Sequence, residues 1–265
     1  MNKVVSRDGT TIAFDRSGEG PALILVGGAF QYRAGDPRTA HLAELLAARF
    51  TVFNYDRRGR GESGDTAPYA VEREVDDLDA LIGEAGGSAF VFGNSSGAAL
   101  ALEAATRGSA ITKLALYEAP FIVDDSRPPV PDDYVSQLDA LVAAGRHGDA
   151  VAYTLTTGIA VPAAVVASMR EQPFWPAFEA VAHTLAYDGR VMGDTQRGNP
   201  ARLARWTSIT VPTLVIDGGQ TPWMSRGADA LAAVLPQARR RTLHDQPHGV
   251  APEVIAPVLE EFFAT

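Results

Sequence analysis

An apolar run, Ala89–Phe92, leads into Gly93-Asn94-Ser95-Ser96-Gly97 and then into a small-residue stretch, Ser96–Arg107. This is a G-x-S-x-G pattern set where a strand would turn sharply into a helix. Such a turn crowds the backbone, so its flanking positions must be glycine or nearly so. It lifts the Ser95 hydroxyl above the sheet edge at a helix N-terminus. A serine alcohol becomes nucleophilic only when a base takes its proton. Of the five histidines, His41 falls in an early helical stretch and His147 and His183 in the middle of the chain. Only His244 and His248 follow the last strand pattern. His248-Gly249 opens a loop from which an imidazole can reach Ser95, whereas His244 stands at a strand end.

A serine so placed needs a layered frame, and the hydrophobic pattern supplies one. Lys3–Ser6 and Thr11–Asp15 flank Asp8-Gly9, a hairpin signal. Ala22–Val26, ended by Gly27-Gly28, reads as a strand buried on both faces. Strand and helix patterns then alternate: helix Thr39–Arg49, strand Thr51–Tyr55, helix Val71–Ala85, strand Ala89–Phe92, helix Ser96–Arg107, strand Ile111–Tyr117. Alternation of this kind builds a parallel sheet covered on both faces. It stops near Pro120. Residues 121–205 read as helices broken by prolines, after which come strand Thr213–Ile216, helix Gly227–Leu235, strand Ala238–Leu243 and helix Val254–Phe263. The expected organisation is a core of residues 1–120 and 206–265 with a helical cap, 121–205, inserted over the strands' carboxyl ends. Open α/β sheets bind ligands at that edge.

Composition excludes other classes. The 265 residues contain no cysteine, which removes thiol catalysis, zinc fingers and iron–sulfur clusters together. A formal net charge of −9 repels phosphate backbones, so nucleic acid is not an expected partner. The Arg239-Arg240-Arg241 run reads as a solvated face. The longest apolar runs are about five residues, too short to span a bilayer, and Met1–Thr10 lacks the apolar stretch of a signal peptide. The expectation is a cytoplasmic monomer or homodimer. No histidine–acid cluster has metal-ligand spacing, and no phosphate-cradling glycine motif follows a strand. No metal and no cofactor are expected.

Four segments together resemble the α/β-hydrolase family over nearly the whole chain. Gly27-Gly28-Ala29 stands where the family has its oxyanion loop. Asp56-Arg57-Arg58-Gly59-Arg60-Gly61-Glu62-Ser63 is similar to its D-x-R-G-x-G-x-S turn. Gly93–Gly97 resembles the nucleophile elbow, and His248 lies in the loop that holds the family's histidine. The resemblance implies an α/β-hydrolase fold, a mostly parallel sheet flanked by helices, with Ser95 as nucleophile and His248 as base. It implies that the backbone N–H groups of Ala29 and Ser96 form an oxyanion hole, with Gly28 leaving room for a substrate carbonyl. One position departs from the pattern. The family usually carries its acid in the loop after Thr213–Ile216, and Thr221 stands there. Glu118, 23 residues beyond Ser95 at the end of the preceding core strand, takes the place used by zearalenone-type lactone hydrolases. Asp217, Asp124 and Asp245 are the alternatives. Arg57 or Arg58 is expected to pair with a core acid.

The expected pocket is aromatic and apolar. Phe30 and Trp223 lie in loops beside the catalytic edge, and Phe121, Trp175 and His183 are candidates from the insertion. Other insertion aromatics, including Phe178, read more readily as packing. The function implied is hydrolysis of a hydrophobic carboxylic ester or lactone through an acyl-enzyme. The rivals are a lyase or cyclase that uses the Ser95–His248 pair only for proton transfer, and a ligand-binding protein without turnover.

Overall fold

A computed structural model describes residues 1–264; the last residue of the expected 206–265 segment, Thr265, lies outside them. Among the described residues, eight strands form one sheet in the order β1-β2-β4-β3-β5-β6-β7-β8. They are β1 (Asn2–Val5), β2 (Thr11–Ser17), β3 (Ala22–Val26), β4 (Thr51–Tyr55), β5 (Ala89–Asn94), β6 (Ile111–Tyr117), β7 (Thr213–Gly219) and β8 (Ala238–Gln246). The hairpin β1–β2 joins antiparallel and the six remaining strands run parallel. The carboxyl ends of β3, β5, β6 and β7 therefore share one edge.

Helices cover both faces, as continuous apolar strands require. Helices α1 (Pro37–Leu46), α2 (Val71–Glu84) and α3 (Ser96–Thr106) follow the first parallel strands. Helices α4 (Tyr134–Ala143), α5 (His147–Tyr153), α6 (Ala163–Arg170), α7 (Trp175–Ala180) and α8 (Leu185–Met192) fill the connection between β6 and β7. Helices α9 (Pro222–Val234) and α10 (Pro252–Ala264) follow β7 and β8. One apolar layer packs α2, α3 and α9 onto the sheet through Val75, Leu78, Leu81, Leu100 and Leu231. The opposite layer packs α1 and α10 through Leu42, Leu46, Ile255 and Leu259. A third cluster, among them Tyr134, Leu138, Val151, Leu155 and Leu185, lies within the helices between β6 and β7.

Differences from the sequence expectation fall at element ends and have local causes. α1 starts at Pro37 rather than Thr39, because Asp36 caps it by accepting from the N–H groups of Arg38 and Thr39 at 3.1 and 3.4 Å. α9 starts at Pro222, not Gly227, with proline at the first helical position, where its fixed φ suits a helix start and its missing N–H costs nothing. β8 runs on to Gln246, so His244 lies inside the strand rather than at its end.

Candidate active site

Ser95 follows β5 and precedes α3 with φ of 56°, a left-handed conformation that a serine adopts only when its surroundings impose it. Packing imposes it here. A Cβ on Gly97 would sit 2.2 Å from the Val26 carbonyl oxygen, so only glycine lets the start of α3 press against β3. The Ser95 N–H donates to the Tyr117 carbonyl at 2.9 Å, which pins the turn to β6.

The other two groups arrive from neighbouring strand ends. Glu118, directly after β6, is 1% exposed and also has a positive φ, 44°. Its Oε1 accepts the Gly218 N–H at 3.0 Å, and its Oε2 lies 2.8 Å from His248 Nδ1. His248 Nε2 lies 3.1 Å from Ser95 Oγ. With the proton on Nδ1 donated to Glu118, Nε2 has a lone pair free to accept the serine proton. The histidine loop is fixed by the Tyr117 hydroxyl, which donates to the Pro247 carbonyl at 2.7 Å. Two of the alternative acids are engaged elsewhere, and the third, Asp245, is exposed on β8. Asp217 accepts from Arg240 at 2.7 Å, and its carboxyl, which burial would push up, is held below the ordinary value by Arg240 and by the Ser225 and Thr242 hydroxyls. Asp124 pairs with Arg226 at 2.6 Å.

Gly27–Ala29 passes in front of the serine. A Cβ on Gly28 would meet the Ser95 Cβ at 2.7 Å, so a side chain there has no room. The Gly28 N–H donates to Gln31 Oε1 at 2.6 Å, and the same oxygen accepts from Asn94 Nδ2 at 2.8 Å. Behind the loop lies a buried ionic cluster from the Asp56–Ser63 turn. Arg57 pairs with Glu74 and Asp188, each at 2.7 Å, and Arg60 pairs with Asp188 at 2.6 Å. Arg58 pairs with Asp77 at 2.6 Å. Burial would raise the Glu74 and Asp188 carboxyls; Arg57 and Arg60 instead hold both below the usual carboxylate range.

A cavity of about 550 Å³ opens over Ser95 and His248. Its apolar wall includes Phe30, Leu42, Phe92, Ile159, Phe178 and Ile255, and its polar lining includes Gln31, Thr39 and Asn94. Two of these, Ile159 and Phe178, come from the segment between β6 and β7.

The sequence profile described as the alpha/beta hydrolase family matches residues 23–257. The chain belongs to this family. It is an enzyme of the hydrolase class, and a solved alpha/beta hydrolase from Sphaerobacter thermophilus is 59% identical with a TM-score of 0.91, covering 99% of this chain and 100% of that one. A thermophilic esterase from Thermogutta terrifontis shares the fold at 21% identity and a TM-score of 0.67, over 99% and 97% of the two chains. The uncharacterized hydrolase YraK of Bacillus subtilis is 35% identical over 111 residues, 40% of each chain.

In this α/β hydrolase the structure brings Ser95, His248, Glu118, Gly28, Ala29 and Phe30 to one place, with Ser96 opening α3 beside them. Four expected pocket residues are not in the lining. Phe121 is fully buried and packs on Trp206 with ring centroids 5.0 Å apart, in the layer under the sheet. Trp175 is buried among α4–α8 and donates its indole N–H to Glu179 at 2.7 Å. Trp223 lies under the Arg127 guanidinium, 4.8 Å from the ring centroid. His183 sits half-buried in a short 3₁₀ turn, Ala182–Thr184. Sequence reasoning missed Gln31 and Asn94, although one lies three residues past Gly28 and the other is the first variable residue of Gly93–Gly97. It also missed Asp188. That residue shares a helix face with buried Leu185 and Met192, a spacing that marks an acid turned inward.

Proposed function

We propose that this hydrolase cleaves hydrophobic carboxylic esters or lactones through an acyl-enzyme on Ser95. The observation that carries the reading is the unbroken relay from Ser95 Oγ through His248 to Glu118, at 3.1 and 2.8 Å, opening into a largely apolar cavity. Ser95 Oγ attacks the carbonyl carbon as its proton passes to His248 Nε2. Glu118 holds the ring in the required tautomer and stabilises the imidazolium. The negative charge that develops on the carbonyl oxygen is met by the N–H groups of Ala29 and Ser96; Ser96 begins α3, so its N–H has no acceptor inside the helix. The imidazolium then protonates the departing alkoxide, which leaves from an ester or stays tethered in an opened lactone. Water, deprotonated by the same histidine, releases the acid.

The test is the intact mass after exposure to a fluorophosphonate. Wild-type protein is expected to gain one adduct, and folded Ser95→Ala none. An unlabelled wild type that turns over no ester or lactone would refute the reading.

A further inference from the structure

We propose that Asp188, on α8, is a positioning residue that sets both donors of the oxyanion hole at once; this rests on the serine-hydrolase reading above. Asp188 does not line the cavity, and it is 6% exposed. Its two oxygens are divided between the two sides of the hole. Oδ1 accepts the Ser96 hydroxyl at 2.7 Å, and also Arg57 Nη1 at 2.7 Å. Oδ2 accepts Arg60 Nη2 at 2.6 Å.

Arg60 carries the second arm forward. It is 1% exposed, its Nε donates to the Thr184 hydroxyl at 3.0 Å, and its Nη1 donates to the Gly28 carbonyl at 2.5 Å. The Gly27 carbonyl accepts from Arg57 at 3.3 Å. A trans peptide is planar, with its C=O and N–H pointing in opposite directions. Drawing the Gly28 carbonyl back to Arg60 therefore aims the Ala29 N–H forward, toward the cavity that Ala29 and Ser95 line. The Gly28 N–H is already bound to Gln31, so it does not compete for that place. On the other side the Ser96 hydroxyl tethers the first residue of α3, whose N–H is the second donor.

Stability alone is a weak reason to bury this cluster, because a well-packed apolar group of similar volume often does as well. Orientation is a better one. Gly28 gives the backbone wide freedom, and the Gln31 N–H holds its carbonyl at 3.3 Å, so the shorter bond from the Arg60 cation, at 2.5 Å, is the stronger restraint on that peptide. A hole displaced by a fraction of an ångström holds charge poorly.

Asp188→Asn and Ser96→Ala separate the two arms. The first removes the charge and, in either amide orientation, sets an N–H₂ against an arginine, Arg60 or Arg57; the second removes the tether and keeps the backbone N–H. Each is assayed with a p-nitrophenyl ester, with a trifluoromethyl ketone that forms an oxyanion on Ser95, and with the corresponding alcohol, which forms none. Asp188→Asn is expected to lower kcat roughly 10- to 100-fold with KM changed less than about threefold, and Ser96→Ala to lower kcat roughly three- to tenfold. Ketone inhibition should weaken by the factor lost in kcat/KM, while alcohol inhibition stays as in the wild type. Wild-type kcat in folded Asp188→Asn would overturn the proposal, as would ketone and alcohol weakening equally. Should Asp188→Asn fail to fold, Ser96→Ala decides, and wild-type kcat there overturns it. A wild type that takes no fluorophosphonate sinks the serine-hydrolase reading itself. A labelled wild type with indifferent variants sinks only the role of Asp188.

Discussion

Glu118 uses one carboxylate oxygen to hold the Gly218 N–H and the other to face His248, so its two tasks, fixing itself and orienting the ring, fall on different atoms. Glu118→Gln preserves the shape and the Gly218 bond if its carbonyl takes the Oε1 place, but it then presents an N–H₂ to Nδ1. The imidazole is driven to the wrong tautomer and loses its counter-charge. A fall in kcat of about 10⁴-fold is expected with an unchanged melting curve, measured by steady-state kinetics and thermal unfolding. Recovery of that activity by adding Thr221→Asp would move the acid to the loop after β7. Gly28 supplies a second test. Alanine there must push either the loop or Ser95, since the contact would be 2.7 Å. Displacements near 1 Å can cost about 10²-fold, so Gly28→Ala should lose at least that factor in kcat. Wild-type kcat would place the reacting carbonyl elsewhere. Both residues could be picked out in the sequence because strand ends and glycine turns leave local signals. Asp188 was not, because its partners Arg57, Arg60 and Ser96 lie far along the chain and no local pattern joins them.

At the scale of elements, the Asp56–Ser63 turn acts as a buried ionic joint between α2 and α8. Glu74 on α2 takes Arg57 Nε and Nη2, both at 2.7 Å, together with the Tyr69 hydroxyl at 2.7 Å. With the Glu74 and Asp188 carboxyls depressed in the folded state, the unfolded chain binds more protons at acid pH. Their stabilisation is thus complete above the ordinary carboxylate values near about 4 and is lost as pH falls through the depressed folded values. Glu74→Gln leaves Arg57 with one carboxylate instead of two, a loss of about 3 kcal/mol at pH 7. Urea unfolding at pH 7 and at successively lower pH should show that difference shrinking below about pH 4. A difference that stays constant with pH would mean that packing, not charge, is what the substitution removes. The sequence indicated that Arg57 or Arg58 would meet a core acid, and both do. Which acid each meets depends on how α2 and α8 pack, and neither helix's own pattern contains that information.

Across the whole molecule, the sheet and its covering helices were legible because the parallel strands β3 to β7 each carry a short apolar run; β8, with Arg239, Arg240 and Arg241 in its first half, is the exception. β3, β4 and β6 begin and end where the runs do. The region between β6 and β7 was legible as helical but not as a surface: nothing in its pattern separates aromatics that pack from aromatics that face substrate. Trp175 went inward, while Phe178, three residues on, stacks on Phe30 with centroids 4.6 Å apart and lines the cavity. That stacked pair joins the segment to the loop after β3, and both rings line the cavity that opens over Ser95. Removing the Phe178 ring deepens the apolar wall without touching Ser95, His248 or Glu118. Short acyl groups then lose contact, and longer or aryl groups gain space. In a series of p-nitrophenyl esters from acetyl to decanoyl, Phe178→Ala should lower kcat/KM for acetyl by up to about tenfold and move the optimum to longer chains, since each buried methylene contributes about 0.8 kcal/mol. The rate at which a small fluorophosphonate phosphonylates Ser95, displacing fluoride, should stay within a few-fold of wild type, because the relay is intact. An unchanged chain-length optimum would show that the acyl group lies instead along the wall formed by α1 and α10, where Leu42 and Ile255 line the same cavity. The matching substitution, Ile255→Ala, would then be the one to shift it.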